Sequence, residues 1–325
     1  MKALVCKELT GPEALVVEEV PDPRVGRGDA RIRVMASGVN YPDVLITRGG
    51  YQFQPPAPFI PGGEVAGVVE AVGEGVTEVA VGDRVCGTTL VGGHAELVSL
   101  PADRLVPLPE EVPFEAGAGL LFTYGTMIHA YEDRARLRAG ESVLVLGAGG
   151  GVGTAAVQLA KAMGAGPVVA AASGAKLEAC REAGADEVID YTAEDLKARA
   201  KALTGGGADV VVDPVGGPYA EPALRATAWE GRYLVIGFAA GDIPRIPLNL
   251  VLLKGCAVVG VFWGQFTERD KPRTREQLTR LGRWVAEGKL RPLVSATYPL
   301  VEGRRAILDL AERRATGKVV ILPAA

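Results

Sequence analysis

Glycine is concentrated at one point of the chain. Gly147, Gly149, Gly150, Gly151 and Gly153 stand between an apolar run ending at Leu146 and a helix-like pattern that begins at Val152. Small residues at a strand-to-helix turn let the backbone approach a pyrophosphate closely, and the helix N-terminus offers it unpaired N–H groups and the positive end of a dipole. The usual G-x-G-x-x-G fingerprint occurs in no register; the spacing is G-x-x-G-x-x-G, at Gly147, Gly150 and Gly153, which makes the turn one residue longer. A tight turn that merely tolerates glycine is the plainer alternative, and the strand–helix–strand frame favours the dinucleotide site.

The end of the next strand decides which dinucleotide fits. NAD sites usually place an acidic residue there, about 20 residues beyond the glycines, for the ribose 2′-hydroxyl. This chain has Ala171, Ala172, Ser173 and then Lys176, with no Asp or Glu. That composition suits a 2′-phosphate, and so NADPH. Lys176 either reaches the phosphate or is solvated on the helix surface.

These residues need a frame to hold them. From residue 142 onward, apolar runs at 142–146, 167–172, 187–191, 209–213, 233–237 and 257–261 alternate with helical patterns such as 152–163 and 176–183. The alternation predicts parallel βαβ units, hence an α/β doubly wound sheet of the Rossmann kind. Up to about Pro109, short β-type runs are broken by Gly73, Gly75, Gly82 and Gly92, which predicts a β-barrel or sandwich. An Ala-rich helical stretch runs from Glu115 to Ala130. Helices at 274–287 and 301–314 and a strand at 319–322 lack the α/β rhythm, so the tail is placed back with the N-terminal domain. The expected domains are 1–122 together with 264–325, and 123–263.

Composition narrows the function classes. The 325 residues are 48% hydrophobic and 23% charged, with a net charge of −4, which gives no electrostatic ground for nucleic acid or anionic membrane as a partner. No apolar run approaches the roughly 20 residues of a spanning helix, and the start has no apolar core behind a basic stretch. A cytoplasmic protein is expected. Cys6, Cys86, Cys180 and Cys256 form no C-x-x-C pair, and His94 and His129 are the only histidines. A metal site is therefore short of ligands; both histidines are expected to be structural, and Asp43 to cap or pair locally.

Several stretches together resemble the medium-chain dehydrogenase/reductase superfamily, specifically its zinc-free quinone oxidoreductase branch. They are Gly38-Val39-Asn40-Tyr41-Pro42-Asp43, Gly49-Gly50-Tyr51, Pro61-Gly62-Gly63-Glu64-Val65-Ala66-Gly67, Gly82-Asp83-Arg84-Val85, Gly149-Gly150-Gly151-Val152-Gly153 and Gly317-Lys318-Val319-Val320. The resemblance implies a GroES-like barrel domain beside the Rossmann domain. In the zinc alcohol dehydrogenases of that superfamily the ligands stand where this chain has Asn40, Gly63 and a residue near Phe122, so it implies no metal. It also implies that Asn40 and Thr126 lie near the nicotinamide and that Tyr51 borders the substrate pocket. Ser173, Lys176 and Tyr191 match positions that grip the 2′-phosphate, and Gly237, Phe238 and Lys318 match cofactor-contacting segments. The run Val261-Phe262-Trp263-Gly264 is bulkier than the family pattern.

Without a Lewis acid, reduction has to place the nicotinamide against an acceptor that is already electrophilic. A quinone is the first expectation, with Asn40 or a backbone N–H bonding the acceptor's oxygen. The alternative is an enoyl-thioester or enone reductase with Tyr51 as proton donor; Tyr51 also reads as an aromatic lid. A third reading, of another class, is an NADPH-binding structural protein with little turnover. The apolar run 256–262 would be an exposed edge strand in a monomer, which points to a homodimer through that edge, as the family forms.

Overall fold

The structure is a computed structural model that describes residues 1–324. Its N-terminal strands are β1 (Lys2–Cys6), β2 (Leu15–Glu19), β3 (Asp29–Val39), β4 (Glu64–Val72), β5 (Arg84–Thr88), β6 (Leu97–Pro101) and β7 (Leu105–Pro107). Next come β8 (Val143–Leu146), β9 (Val168–Ala172), β10 (Glu187–Asp190), β11 (Ala208–Asp213), β12 (Thr227–Val235) and β13 (Ala257–Gly260). The last two are β14 (Val294–Pro299) and β15 (Lys318–Leu322).

The chain forms two compact units: residues 1–122, 278–288 and from 292 onward, and residues 123–277 with 289–291. The return crossing lies at Gln277/Leu278, later than the 263/264 read from the sequence. The helix Lys271–Ala286 begins in the second unit, where Arg273 bonds Glu132 and Gln277 bonds Asp133, both at 2.8 Å. Those carboxylates sit on a π-helical turn, Ala130–Ala135, that prolongs the helix Leu121–His129 past its expected end and closes on left-handed Arg136.

In the second unit all strands are parallel, in the order β10-β9-β8-β11-β12-β13. This is the doubly wound arrangement predicted. β8 and β9 are buried along their whole length, as the uninterrupted apolar runs require of strands covered on both faces. The winding reverses between β8 and β11, and ligands of such sheets bind outside the carboxyl ends of the strands at that point. β12 starts six residues before the expected 233, because Thr227 already pairs with Ala208 before the register shifts.

The first unit is built around β3. One side of β3 pairs with β4 throughout; the other pairs with β6 over Asp29–Arg33 and with β15 over Ser37–Val39. Register shifts in the β3–β4 ladder, one of them between Val34 and Ala36, accompany this change of partner. Inward-facing Ile32, Val34, Val65, Val85 and Val98 form one core cluster, and Leu4, Leu15, Val44, Ile307 and Ile321 belong to another. The pairing has a consequence for chemistry: Asn40, just past β3, meets the first residues of β4 and β15, Glu64 and Lys318. Among the described residues no helix is long and apolar enough to cross a membrane.

Candidate cofactor and catalytic sites

At the switch point of the parallel sheet, β8 ends at Leu146 and the next helix, Gly151–Ala162, opens with Gly150 as its N-cap. The turn closes where Gly150 N–H donates to the Gly147 carbonyl at 3.0 Å. A Cβ at position 153 would lie 2.3 Å from the Gly147 oxygen and 2.4 Å from Ala148 Cα, so only glycine lets the helix seat so low on the loop. The first N–H groups of the helix, at Gly151, Val152 and Gly153, have no intrahelical acceptor and are available to an anion.

The loop after β11 flanks this cradle. Asp213 is buried; one of its oxygens accepts the N–H groups of Val215 and Gly216, both at 2.8 Å, and the other accepts the Tyr233 hydroxyl. The loop after β12 follows it, with Gly237 N–H bonding the Asp213 carbonyl at 3.4 Å and the Phe238 ring resting against Gly216. Thr126 is half-buried on the helix Leu121–His129. The Asp213–Tyr233 pair escaped sequence reasoning; its one signal was an acid closing a buried apolar strand.

At the end of β9, Ser173 and Gly174 form the turn into the next helix. Lys176 lies across the glycine loop: its Cβ and Cδ fall 2.6 and 3.2 Å from where a Cβ of residue 149 would be. The Tyr191 ring lies tilted by 33° against Tyr219, with centroids 4.2 Å apart, and packs on the core of the unit. Sequence reasoning also missed Asp190. Parallel register sets it beside Ala172, and its carboxylate accepts Thr192 Oγ1 (2.5 Å), Thr192 N–H (3.0 Å) and Gly174 N–H. These bonds, that from the Thr192 hydroxyl first, hold its pKa below the usual carboxylate value. An acid thus stands at the end of the third strand, beside the end of the second.

In the first unit, the strand ends gather a buried polar cluster. Lys318 Nζ donates to Asn40 Oδ1 (2.7 Å), Glu64 Oε2 (3.0 Å) and the Val39 carbonyl (3.2 Å). Asn40 Nδ2 donates to Glu64 Oε2 (3.0 Å) and the Gly38 carbonyl (3.2 Å), and Phe122 N–H donates to Glu64 Oε1 (3.0 Å). The ammonium on one side and the carboxylate on the other fix which way the Asn40 amide faces. Both of its N–H groups are therefore committed, which corrects the expectation that Asn40 donates to an acceptor's oxygen. Lys318 is likewise engaged inside the cluster and buried, rather than held out toward a cofactor.

Asp43 behaves as expected of a local cap. It accepts Asn40 N–H at 2.8 Å and Gly62 N–H at 3.0 Å. His94 is wholly buried, its Nδ1 2.8 Å from Ser37 Oγ. His129 pairs with Asp133 at 2.8 Å and stacks on Phe266. Tyr51 packs, partly buried, on the Leu4–Ile321 core cluster. Burial, and then the Asp43 carboxylate, push its phenol above the ordinary value.

The positions where zinc ligands would stand do converge, but their chemistry does not suit a metal. A Cβ at position 63 would lie 3.2 Å from the Phe122 ring and from the Thr89 carbonyl, so a larger side chain there would press on both, and the glycine itself offers no ligand. Asn40 offers an amide oxygen already bound to an ammonium. Catalytic zinc takes three protein ligands, and among the described residues no three His, Cys, Asp or Glu side chains are grouped to hold one.

A glycine cradle at the switch point of a 3-2-1-4-5-6 parallel sheet, accompanied by the strand-rich first unit, defines a two-domain dinucleotide-dependent dehydrogenase or reductase. Comparison with known proteins narrows this. Residues 26–110 match the family model described as alcohol dehydrogenase GroES-like domain, and residues 151–281 that described as zinc-binding dehydrogenase. The chain is similar to a quinone oxidoreductase-like protein 2 homolog of Nematostella vectensis, 38% identical over 98% of this chain and 88% of the relative. It is also similar to the quinone oxidoreductase of Mus musculus, 33% identical over 99% and 98% of the two chains. A probable oxidoreductase from Mycobacterium abscessus shares the fold with a TM-score of 0.90 at 40% identity, over 99% of each chain. Escherichia coli quinone oxidoreductase, solved in complex with NADPH, does so with a TM-score of 0.90 at 29% identity, over 99% of this chain and all of the other. The chain belongs to the zinc-free quinone oxidoreductase branch of the medium-chain dehydrogenase/reductase superfamily.

Proposed function

We propose that this protein is an NADPH-dependent oxidoreductase whose hydride acceptor is a quinone. The observation that carries the reading is the switch-point cradle with Lys176 laid across it. The N–H groups of Gly151, Val152 and Gly153 hold the pyrophosphate, with Gly147 and Gly150 shaping the turn. Ser173 and Lys176 take the 2′-phosphate, Tyr191 borders it, and Gly237, Phe238 and Thr126 line the remainder of the dinucleotide. When bound, NADPH supplies a hydride. The acceptor has to be electrophilic without metal assistance, as quinones are, because the incoming charge spreads to oxygen. A backbone N–H stabilises that oxygen, while Asn40 keeps Glu64 and Lys318 in place.

A second reading is favoured by Tyr51, whose phenol is kept protonated by burial and by Asp43. A neutral phenol suits a proton donor to the enolate that follows hydride addition to an enone or enoyl thioester. Initial rates with a benzoquinone, an enone and an enoyl-CoA separate the two. Tight NADPH binding with turnover of none would make the protein a binding protein instead.

Cofactor affinity tests the cradle directly. A charge-assisted hydrogen bond contributes about 1.5–3 kcal/mol, so Lys176→Ala weakens NADPH by about one to two decades and leaves NADH nearly unchanged. Dissociation constants of both cofactors on both proteins check this; equal losses would remove Lys176 from the 2′-phosphate.

The reading includes a homodimer. Among the described residues β13 pairs only with β12, and Val258 on it, with Leu248, Leu252, Leu253 and Phe262 nearby in sequence, is exposed. An open apolar edge of this kind favours pairing with a second copy. Light scattering is expected to give a dimer for the wild type and a monomer for Leu252→Glu/Val258→Glu. A monomeric wild type would refute the pairing.

A further inference from the structure

We infer that Asp190 is a specificity-determining residue for the cofactor, opposing Lys176 at the 2′ position and limiting the preference for NADPH over NADH. The inference rests on the cofactor reading above. The group that distinguishes the two dinucleotides binds at the end of the second strand of such a sheet, which here is Ala172 followed by Ser173 and Gly174. The sequence places no acid on that strand. The fold brings one from its neighbour, since Asp190 closes β10 in register with Ala172.

Its carboxylate is held in place rather than free to swing away. Thr192 bonds one oxygen through both N–H and hydroxyl, and the other oxygen lies 2.6 Å from where a Cβ of Gly174 would be. Gly174 N–H completes the set. A backbone donor that could have faced a phosphate is thereby turned to a protein carboxylate, and a fixed negative charge stands beside the turn. Because the carboxyl titrates below its ordinary value, the charge is present throughout the neutral range. Lys176 closes the same turn, and its side chain lies against Gly149 of the glycine loop. The 2′ substituent thus meets one cation and one anion. A 2′-hydroxyl carries no charge for either to act on, whereas a 2′-phosphate carries roughly −1.5 to −2.

The size of the effect follows from Coulomb's law. A unit charge roughly 7 Å from a dianion in water-like surroundings changes affinity by roughly sevenfold before screening, and salt reduces it. Asp190→Asn is therefore expected to tighten NADPH about fivefold at low salt and leave NADH within a factor of about two, the gain shrinking as salt rises. Affinities for 2′,5′-ADP and 5′-AMP, read by calorimetry, should move in the same way without any contribution from the nicotinamide. Asp190→Ser is the second variant, used if the asparagine variant melts early. Unchanged NADPH:NADH ratios in the folded variants would overturn the inference, as would parallel changes for both cofactors, which mark Asp190 as a loop anchor only. A wild type that binds neither dinucleotide would instead overturn the cofactor reading, and this inference with it.

Discussion

Replacing Tyr51 by phenylalanine is expected to lower enone turnover by about a hundredfold, within the range for loss of a general acid. Quinone reduction should change little. Hydride addition to an enone leaves an enolate whose carbon has to be protonated before product forms, and a positioned phenol does this faster than bulk water. A quinone becomes a hydroquinone anion, stable enough to take its proton from solvent. The pH dependence has a defined sign. Burial and the Asp43 carboxylate raise the Tyr51 phenol above its ordinary value of about 10, so the acid form persists through neutral and mildly alkaline pH. The enone rate should fall only above pH 10 or so, and that fall should vanish in the phenylalanine variant. Equal losses for both acceptors would mark Tyr51 as a packing residue of the core cluster it touches.

Lys318→Met is expected to destabilise the protein by about 3–5 kcal/mol, because removing one partner of a buried ion pair strands the other. The Glu64 side chain is fully buried and that of Lys318 is 4% exposed. Without the ammonium, Glu64 Oε2 keeps only the Asn40 amide, and Asn40 Oδ1 loses its donor. For a unit of this size such a loss lowers Tm by about 10 °C. Lys318→Met combined with Glu64→Gln should recover a large part of it, since the stranded charge is gone and the amide still accepts from Phe122 N–H. Thermal melts of the single and double variants check this. A double variant no more stable than Lys318→Met would mean that packing, not charge, holds the cluster.

Much of this architecture is readable without coordinates where the information is local. The fully apolar runs before the glycines and at 167–172 demand strands covered on both faces, and their alternation with helical patterns demands parallel crossovers. The glycine spacing marks the strand-to-helix turn, since only a residue without Cβ tolerates the 2.3 Å approach at position 153. The lack of zinc ligands at Asn40, Gly63 and Phe122 is a matter of residue type alone.

Tertiary structure alone decided the rest. Asp190 belongs to the cofactor question because parallel pairing places it opposite Ala172, and sequence distance from the glycines gave no hint of that. Asn40 looked like a donor to substrate until Lys318, 278 residues away, was found to claim its oxygen while Glu64 and Gly38 claimed its N–H groups. The return crossing at residue 277 depends on Arg273 and Gln277 finding carboxylates on a π-helical turn about 140 residues earlier. Neighbours along the chain set the periodicity that selects helix or strand. Which buried polar groups meet is set by strand register and by the need of each desolvated charge for a partner, and those partners come from distant parts of the chain.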